Sequence, residues 1–350
     1  MSSSASKRPI RRLIAIGVPV VLVVAVIAAV VSSGHLSLRL PVTHTSVYAD
    51  VPAASPGRLM VDGARLLAED GTPVTLRGVM IEDPSLFRPT GAPPASLFAD
   101  IAATGANVVR LPVSPANWRD DKEYLWRSLE PAVRLASAAG LWVIIDWHVI
   151  GNVETGVPTN SAGSAADLAP TTAFWQTVAA YFADAPNVLF ELVNECEGVA
   201  GDQWRTMTQG LVDTVRATGA DNVVIIGGVQ WSKDLSWAAV DPLAGENIAY
   251  AVHIYPADAA PNWDQWFGNL AATHPVLLTE WGFTDQPMNP DDTYLVGDVA
   301  TYAQPLLDYV EARGMGWVAC WYNDDYDPPL LTGQGTPTAW GEFAFAALGG

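Results

Sequence analysis

Two glutamates, Glu195 and Glu280, each close a short apolar run: Val-Leu-Phe-Glu-Leu-Val-Asn-Glu at 188–195 and Val-Leu-Leu-Thr-Glu-Trp-Gly at 276–282. Runs of that length and composition read as buried β-strands. Two carboxyl groups delivered from two separate strand ends match what cleavage of a glycosidic bond requires. One acid protonates the leaving oxygen and one carboxylate attacks the sugar carbon. Asn194 directly precedes Glu195, and further polar and aromatic residues stand at the ends of other apolar runs, namely Arg110, His148, His253, Tyr255 and Trp321. An arginine near a carboxylate keeps it ionised without ever losing its own charge, and a tyrosine hydroxyl supplies a further donor.

Those residues need a scaffold that gathers strand ends on one face. Short apolar runs at 74–80, 107–112, 141–146, 188–193, 223–227, 248–253, 276–280 and 315–322 predict strands. Between them, helical patterns lie at 94–104, 122–139, 172–182, 203–218, 263–272 and 299–313, and a last one at 340–348 closes the chain. Alternation of this kind is the signature of βα units around a parallel sheet. Eight strands predict a (β/α)8 TIM barrel. The rival, an open doubly wound sheet, asks for a glycine-rich phosphate loop after an early strand, and the sequence has none. In the barrel, chemistry belongs at the C-terminal ends of the strands, which is where the polar residues named above fall. Ahead of the first strand, residues 59–63 and 74–78 flank a polar turn at 69–73 and predict a short hairpin.

Six segments in this order carry a resemblance. They are Ala-Asn-Val-Val-Arg-Leu-Pro at 106–112, Ile-Asp-Trp-His at 145–148, Phe-Glu-Leu-Val-Asn-Glu at 190–195, Val-His-Ile-Tyr at 252–255, Thr-Glu-Trp-Gly-Phe at 279–283, and Cys-Trp at 320–321. Together they resemble glycoside hydrolase family 5, the cellulase-like family with catalytic glutamates on barrel strands four and seven, over about residues 59–350. The resemblance implies a retaining mechanism with Glu195 as acid/base and Glu280 as nucleophile. It implies that Asn194 bonds the 2-hydroxyl of the sugar being cleaved, that His148 and His253 line that subsite, and that Trp321 is its floor. Arg110 and Tyr255 are expected to hold Glu280 ionised, while a neighbouring anion and partial burial are expected to keep Glu195 protonated. The sequence departs from the family in one place: Cys196 follows Glu195 where the family usually has proline.

Other residues compete for roles. Cys196 and Cys320, at the ends of the fourth and eighth strands, face each other across the barrel mouth at more than the ~7 Å Cα separation a disulfide tolerates, so two free, partly buried thiols are expected. A metal site at Cys196, His148 and His253 lacks the usual close ligand spacing, and no metal or cofactor is expected. Glu191 lies inside a strand and reads as structural. Glu82, Asp83, Asp324, Asp325 and Asp327 read mostly as solvated loop charges, with Asn323 or Asp324 a candidate to touch a neighbouring sugar. Trp118, Trp147, Trp231 and Trp281 are candidate further subsites.

The chain has 350 residues, of which half are hydrophobic, and a formal charge of -19. That charge repels polyanions, which excludes nucleic acid as a partner and favours a neutral substrate. Lys7, Arg8, Arg11 and Arg12 precede an uncharged run at 13–31, long enough to cross a bilayer. Residues 1–31 are therefore read as a basic tail and transmembrane signal-anchor that leaves the rest outside the cell membrane, with a cleaved signal peptide and secretion as the alternative. Residues 32–57, rich in Ser, Thr, Pro and Ala, are expected to form a stalk, and 58–350 the catalytic domain, acting as a monomer. The expected substrate is a β-linked polysaccharide or oligosaccharide, β-1,4-glucan cut internally in the first place. β-Mannan and β-1,3-glucan remain open, as does a non-catalytic barrel that binds envelope polysaccharide.

Overall fold

In the computed structural model, residues 45 and 47–349 are described, apart from 88, 160–163 and 259. Eight strands pair in parallel: β1 (Arg77–Met80), β2 (Val108–Val113), β3 (Trp142–Trp147), β4 (Val188–Glu191), β5 (Val224–Gly227), β6 (Ile248–Ile254), β7 (Val276–Trp281) and β8 (Gly316–Ala319). β8 pairs back onto β1, so the sheet closes into a barrel. Helices alternate with the strands, among them Ala95–Ala103, Glu130–Ala138, Leu168–Phe182 and Gly201–Ala217. The expected (β/α)8 architecture is present.

Strand side chains alternate between two faces, and the two faces here have separate cores. Val109, Leu111, Ile145, Phe190, Val252 and Leu278 point outward into the layer beneath the helices. Val108, Ile144, Leu189, Ala251, Leu277 and Val318 point into the barrel. Closure brings the backbones very near one another at Gly78, where a Cβ would stand 1.8 Å from the carbonyl oxygen of Val108.

The floor of the barrel differs from the predicted hairpin. Leu59–Asp62, Arg65–Ala68 and Pro73–Val74 form a three-stranded antiparallel sheet. Its first turn is a two-residue link that uses Gly63 at φ 56°. Val74 is thereby taken from the predicted first barrel strand, which begins instead at Arg77. Leu59 and Leu66 of this sheet join Leu76 and the lower barrel residues in one buried cluster, so the sheet plugs the barrel's N-terminal end.

The anchor expected over 1–31 lies outside the described residues, and among the described residues no helix is long and apolar enough to cross a membrane. The described part of the expected stalk lies against the domain. Tyr48 is buried, its N–H donates to the Tyr181 carbonyl at 2.8 Å, and its ring meets Phe182 at 5.3 Å. Arg134 lies 5.0 Å over the same ring and donates to the carbonyls of Ala49 and Asp50. Packed structure therefore begins ahead of residue 58. A single aromatic anchored by hydrogen bonds suffices for this, and no periodicity in 45–57 announces it.

Candidate active site

Two local irregularities deliver the two glutamates. β4 ends at Glu191, short of the predicted 193, and the chain then leaves the barrel ladder. Glu195–Cys196 pairs instead with Ile150–Gly151, a small parallel ladder above the barrel rim. The backbone N–H of Asn194 bonds the Trp147 carbonyl at 3.1 Å, and that of Glu195 bonds the Val149 carbonyl at 2.9 Å. From the other side, the Ser232 hydroxyl donates to the Asn194 carbonyl. Ser232 belongs to a run, with Gln230 and Trp231, in left-handed backbone at φ 56–57°. That region is costly for residues with a Cβ and concentrates at functional sites.

Glu280 depends on a bulge. Strict alternation from the inward Leu277 would place Thr279 inward and Glu280 outward. The register between β6 and β7 slips, so that Val252 faces Leu278 but His253 faces Glu280. Thr279 and Glu280 consequently both reach the interior, and Trp281 turns outward to pack on Trp317 and Trp340. Re-aiming a side chain in this way is a common use of bulges near active sites.

The fully buried Arg110 lies beneath both. It donates through Nη1 to Glu280 Oε1 at 2.6 Å, through Nε to Glu191 Oε2 at 2.6 Å, and through Nη2 to Asn194 Oδ1 at 2.8 Å. The Asp146 carboxylate stands 3.1 Å from Nη2 and bonds His148 Nδ1 at 2.6 Å. The Tyr255 hydroxyl donates to Glu280 Oε2 at 3.0 Å, with Cys320 Sγ 3.4 Å away. His253 Nδ1 lies 2.9 Å from Glu195 Oε1 and 3.6 Å from Glu280 Oε2. Carboxylate oxygens of Glu195 and Glu280 and a ring nitrogen of His253 lie within 4.8 Å of one another.

Electrostatics separate these groups. Burial pushes the Glu280 carboxyl upward, but the charges of His253, Arg110 and His148 outweigh it and hold Glu280 below the usual range. Burial also opposes the charge of Glu191, and Arg110 and His253 nevertheless pull it down to about 2. His253 loses affinity for its proton through burial and regains more from Glu280, Glu191 and Glu195, ending at about 10. Burial disfavours the His148 cation too, yet Asp146 raises it overall. Both cysteines are free and buried. Burial raises Cys196 to about 12 and Cys320 further still, so both remain thiols rather than nucleophiles.

Arg110, Asn194, His253, Tyr255, Glu195 and Glu280 thus form one connected network, with His148 joined through Asp146. Trp321 stands at its edge, half-buried, 5.9 Å from the His148 ring and 5.2 Å from that of Tyr326. His253 differs from its expected place as a wall of the sugar subsite. It is 1 % exposed, and both ring nitrogens are engaged, with Glu195 and with Thr279. Among the described residues, Glu195, His253 and Glu280 form the one group spaced to hold a metal ion, and the alternative set of Cys196, His148 and His253 does not gather. The group fits an ion poorly, because the three carboxylates around His253 keep the ring protonated and occupy the nitrogen that a metal needs.

Of the extra tryptophans, Trp147 and Trp281 are buried in the helix-facing core and offer no face to a ligand. Trp118 packs on Tyr124 and Phe174. Trp231 is 40 % exposed, with Lys233 5.4 Å from its ring. Asp83 is a correction. It is buried, and it accepts from Ser85, Tyr124, Ser114 and Asn117, tying the loop after β1 to the loop after β2. Nothing in the sequence marks Ser232 or Tyr294 as part of the site, and Thr279 stands there only as the first residue of the 279–283 segment. Tyr294 is half-exposed and sits edge-on to Tyr255 at 5.6 Å.

The family model for cellulase, glycosyl hydrolase family 5, matches residues 67–327. Endoglucanase E-5 of Thermobifida fusca is 27% identical over 309 residues, 85% of this chain and 62% of its own length. Endoglucanase N of Pectobacterium atrosepticum is 27% identical over 283 residues, 78% of this chain and 59% of its own. This chain thus spans about six-tenths of the length of these curated relatives. Among solved structures, a beta-glucanase from Saccharophagus degradans in complex with cellotetraose superposes with a TM-score of 0.81 at 27% identity, covering 88% of this chain and 97% of that one. With the family model spanning the barrel from its floor sheet to the loop after β8, the chain belongs to glycosyl hydrolase family 5.

Proposed function

We propose that this protein is a retaining β-glycosidase that cuts β-1,4-glucan internally. The observation that carries the reading is the spacing of the two glutamates, with carboxylate oxygens within 4.8 Å. Retaining enzymes hold their carboxyl groups about 5–5.5 Å apart, whereas inverting ones leave about 6.5–9.5 Å for a water. Glu280, ionised between Arg110 and Tyr255, attacks the anomeric carbon. Glu195 protonates the departing oxygen, then acts as base toward the water that releases the glycosyl-enzyme. Asn194, held by Arg110, offers its amide to the 2-hydroxyl, where a bond strengthens as positive charge develops on the ring. His148 and Trp321 border the same sugar, the indole giving its pyranose ring an apolar face. The preference for β-1,4-glucan is supported by the endoglucanase relatives and by the cellotetraose seen with the Saccharophagus neighbour. The basic-then-apolar start of the chain supports attachment to the cell membrane, with the barrel outside.

The full-length chain, with Glu195→Gln and Glu280→Gln beside it, should be assayed on soluble cellulose, mixed-linkage β-glucan, laminarin and β-mannan. Fastest loss of viscosity on the β-1,4-glucans, abolished in both variants, is expected. Equal rates for all three proteins on every polymer would end the proposal. Azide should rescue Glu280→Gly and give a glycosyl azide of inverted configuration.

A further inference from the structure

The hydrogen arrangement around His253 follows from its neighbours. The Thr279 hydroxyl lies 2.8 Å from Glu191 Oε1 and 3.1 Å from His253 Nε2. It has one hydrogen to give. Glu191 is ionised beside Arg110 and has none, so the Thr279 hydrogen goes to Glu191 and the Thr279 lone pair faces Nε2. Nε2 must therefore carry a hydrogen. Nδ1 is left as the variable position, and it faces Glu195 Oε1 at 2.9 Å. Among the described residues, every charged group that meets the ring is acidic: Glu195, Glu280 at 3.6 Å and Glu191 at 3.9 Å. Arg110 reaches Glu191 and Glu280 through separate bonds, and Tyr255 is occupied with Glu280.

We infer that Thr279 and Glu191 are positioning residues that fix His253 as an imidazolium, the group that receives the carboxylate Glu195 becomes once it has protonated the leaving oxygen. The inference rests on the glycosidase reading above. In the first half-reaction the Glu195 O–H bond breaks and its hydrogen passes to the glycosidic oxygen. The bond from that oxygen to the anomeric carbon breaks as the bond to Glu280 forms. Glu195 is left negative, and the Nδ1–H of His253 donates to it. In the second half-reaction Glu195 takes a hydrogen from water, whose oxygen displaces Glu280. His253 neither gains nor loses a hydrogen across the cycle. Its contribution is to make Glu195 a stronger acid at the moment of cleavage.

Thr279→Val and Thr279→Ser in the full-length chain test this with two substrates. A cello-oligosaccharide has a poor leaving group that needs a proton, and 2,4-dinitrophenyl β-cellobioside has one that departs without it. For Thr279→Val, kcat/KM on the oligosaccharide should fall about 10- to 100-fold, less than the ~10²–10⁴-fold that general acid catalysis supplies in full because Glu195 itself is retained, while the dinitrophenyl substrate loses less than about 3-fold. Thr279→Ser, which keeps the hydroxyl, should recover most of the loss. Nitrogen-15 NMR at pH 7 should find both His253 nitrogens protonated in the wild type, and a pH titration should find the ring giving up its proton at lower pH in Thr279→Val than in the wild type. An equal loss on both substrates, no recovery with serine, or either His253 nitrogen bare in the wild type at pH 7 would each overturn the inference. The NMR of the wild type decides it even where Thr279→Val does not fold. A wild type inactive on both substrates would instead count against the glycosidase reading.

Discussion

Two layers of the barrel interior, a single two-residue step apart along the same strands, have opposite contents. In the lower layer stand Val108, Ile144, Leu189, Ala251 and Leu277. Two residues further on stand Arg110, Asp146, Glu191, His253 and Thr279, all nearly or wholly buried. The lower layer is a packed apolar core closed beneath by Leu59 and Leu66. The upper layer is a buried charge network, and taking charges out of water offsets most of what their mutual attraction gains. Well-packed apolar residues at those positions would serve stability at least as well. The upper layer is explained by what it holds in place, Glu280 and Glu195, the nucleophile and the proton donor of the proposed mechanism. The same fold thus assigns stability to one level of the barrel and chemistry to the next.

The sharpest way to break this division is to change one residue in each layer. Glu280→Gln should lower kcat/KM by on the order of 10⁴-fold or more, the scale seen when a nucleophile is removed, while the variant stays folded by circular dichroism. A large residual rate would mean that the upper layer is not built around Glu280. Leu189→Ala should destabilise the protein by about 2–5 kcal/mol in urea unfolding and leave kcat per folded molecule within about 2-fold. If that variant lost activity in proportion to Glu280→Gln, the two layers would not be separable.

Glu191→Gln crosses the boundary. Removing one partner of a buried pair leaves Arg110 uncompensated and should cost about 3–5 kcal/mol. Unlike Leu189→Ala, it should also slow hydrolysis, since Arg110 and His253 both depend on Glu191.

The smallest effect concerns pH. Glu191 is drawn from an ordinary 4.5 to about 2, so its contribution is complete above 4.5 and is lost as pH falls through 2. His253 is raised from 6.5 to about 10, so its contribution is complete below 6.5 and is lost as pH rises through 10. Thermal midpoints should therefore be highest between pH 4.5 and 6.5 and decline on either side. Leu189→Ala should lower that curve without changing its shape, and a shape change would show that the layers are electrostatically coupled.

Much of this division was legible in the sequence, because period-two alternation needs no tertiary information. Eight apolar runs, each ending near a polar residue, suffice for the barrel and for its functional face. The contacts of Arg110 and Tyr255 with Glu280 also follow from residue type and strand order. What alternation misreads is whatever interrupts it. Continued strictly through β7, it would bury Trp281 in the barrel and turn Glu280 toward the helices, and the bulge at Thr279 reverses both. The rim ladder that carries Glu195 and the left-handed turn at Ser232 rest on hydrogen bonds between segments far apart in sequence. Trp147 carries no local mark of being core, because its partners Phe174 and Thr171 lie on the next helix. The same is true of Tyr48 and of Asp83, whose partners are set by the fold.

The most direct measurement of the assigned roles is the configuration of the first product. Proton NMR should follow the anomeric signals while the full-length chain cleaves a cello-oligosaccharide, before mutarotation equilibrates them. With Glu280 attacking and Glu195 giving, then taking, a proton, the new reducing end should appear first in the β configuration. An α-anomer appearing first would contradict a glycosyl-enzyme on Glu280 and the double displacement built on it.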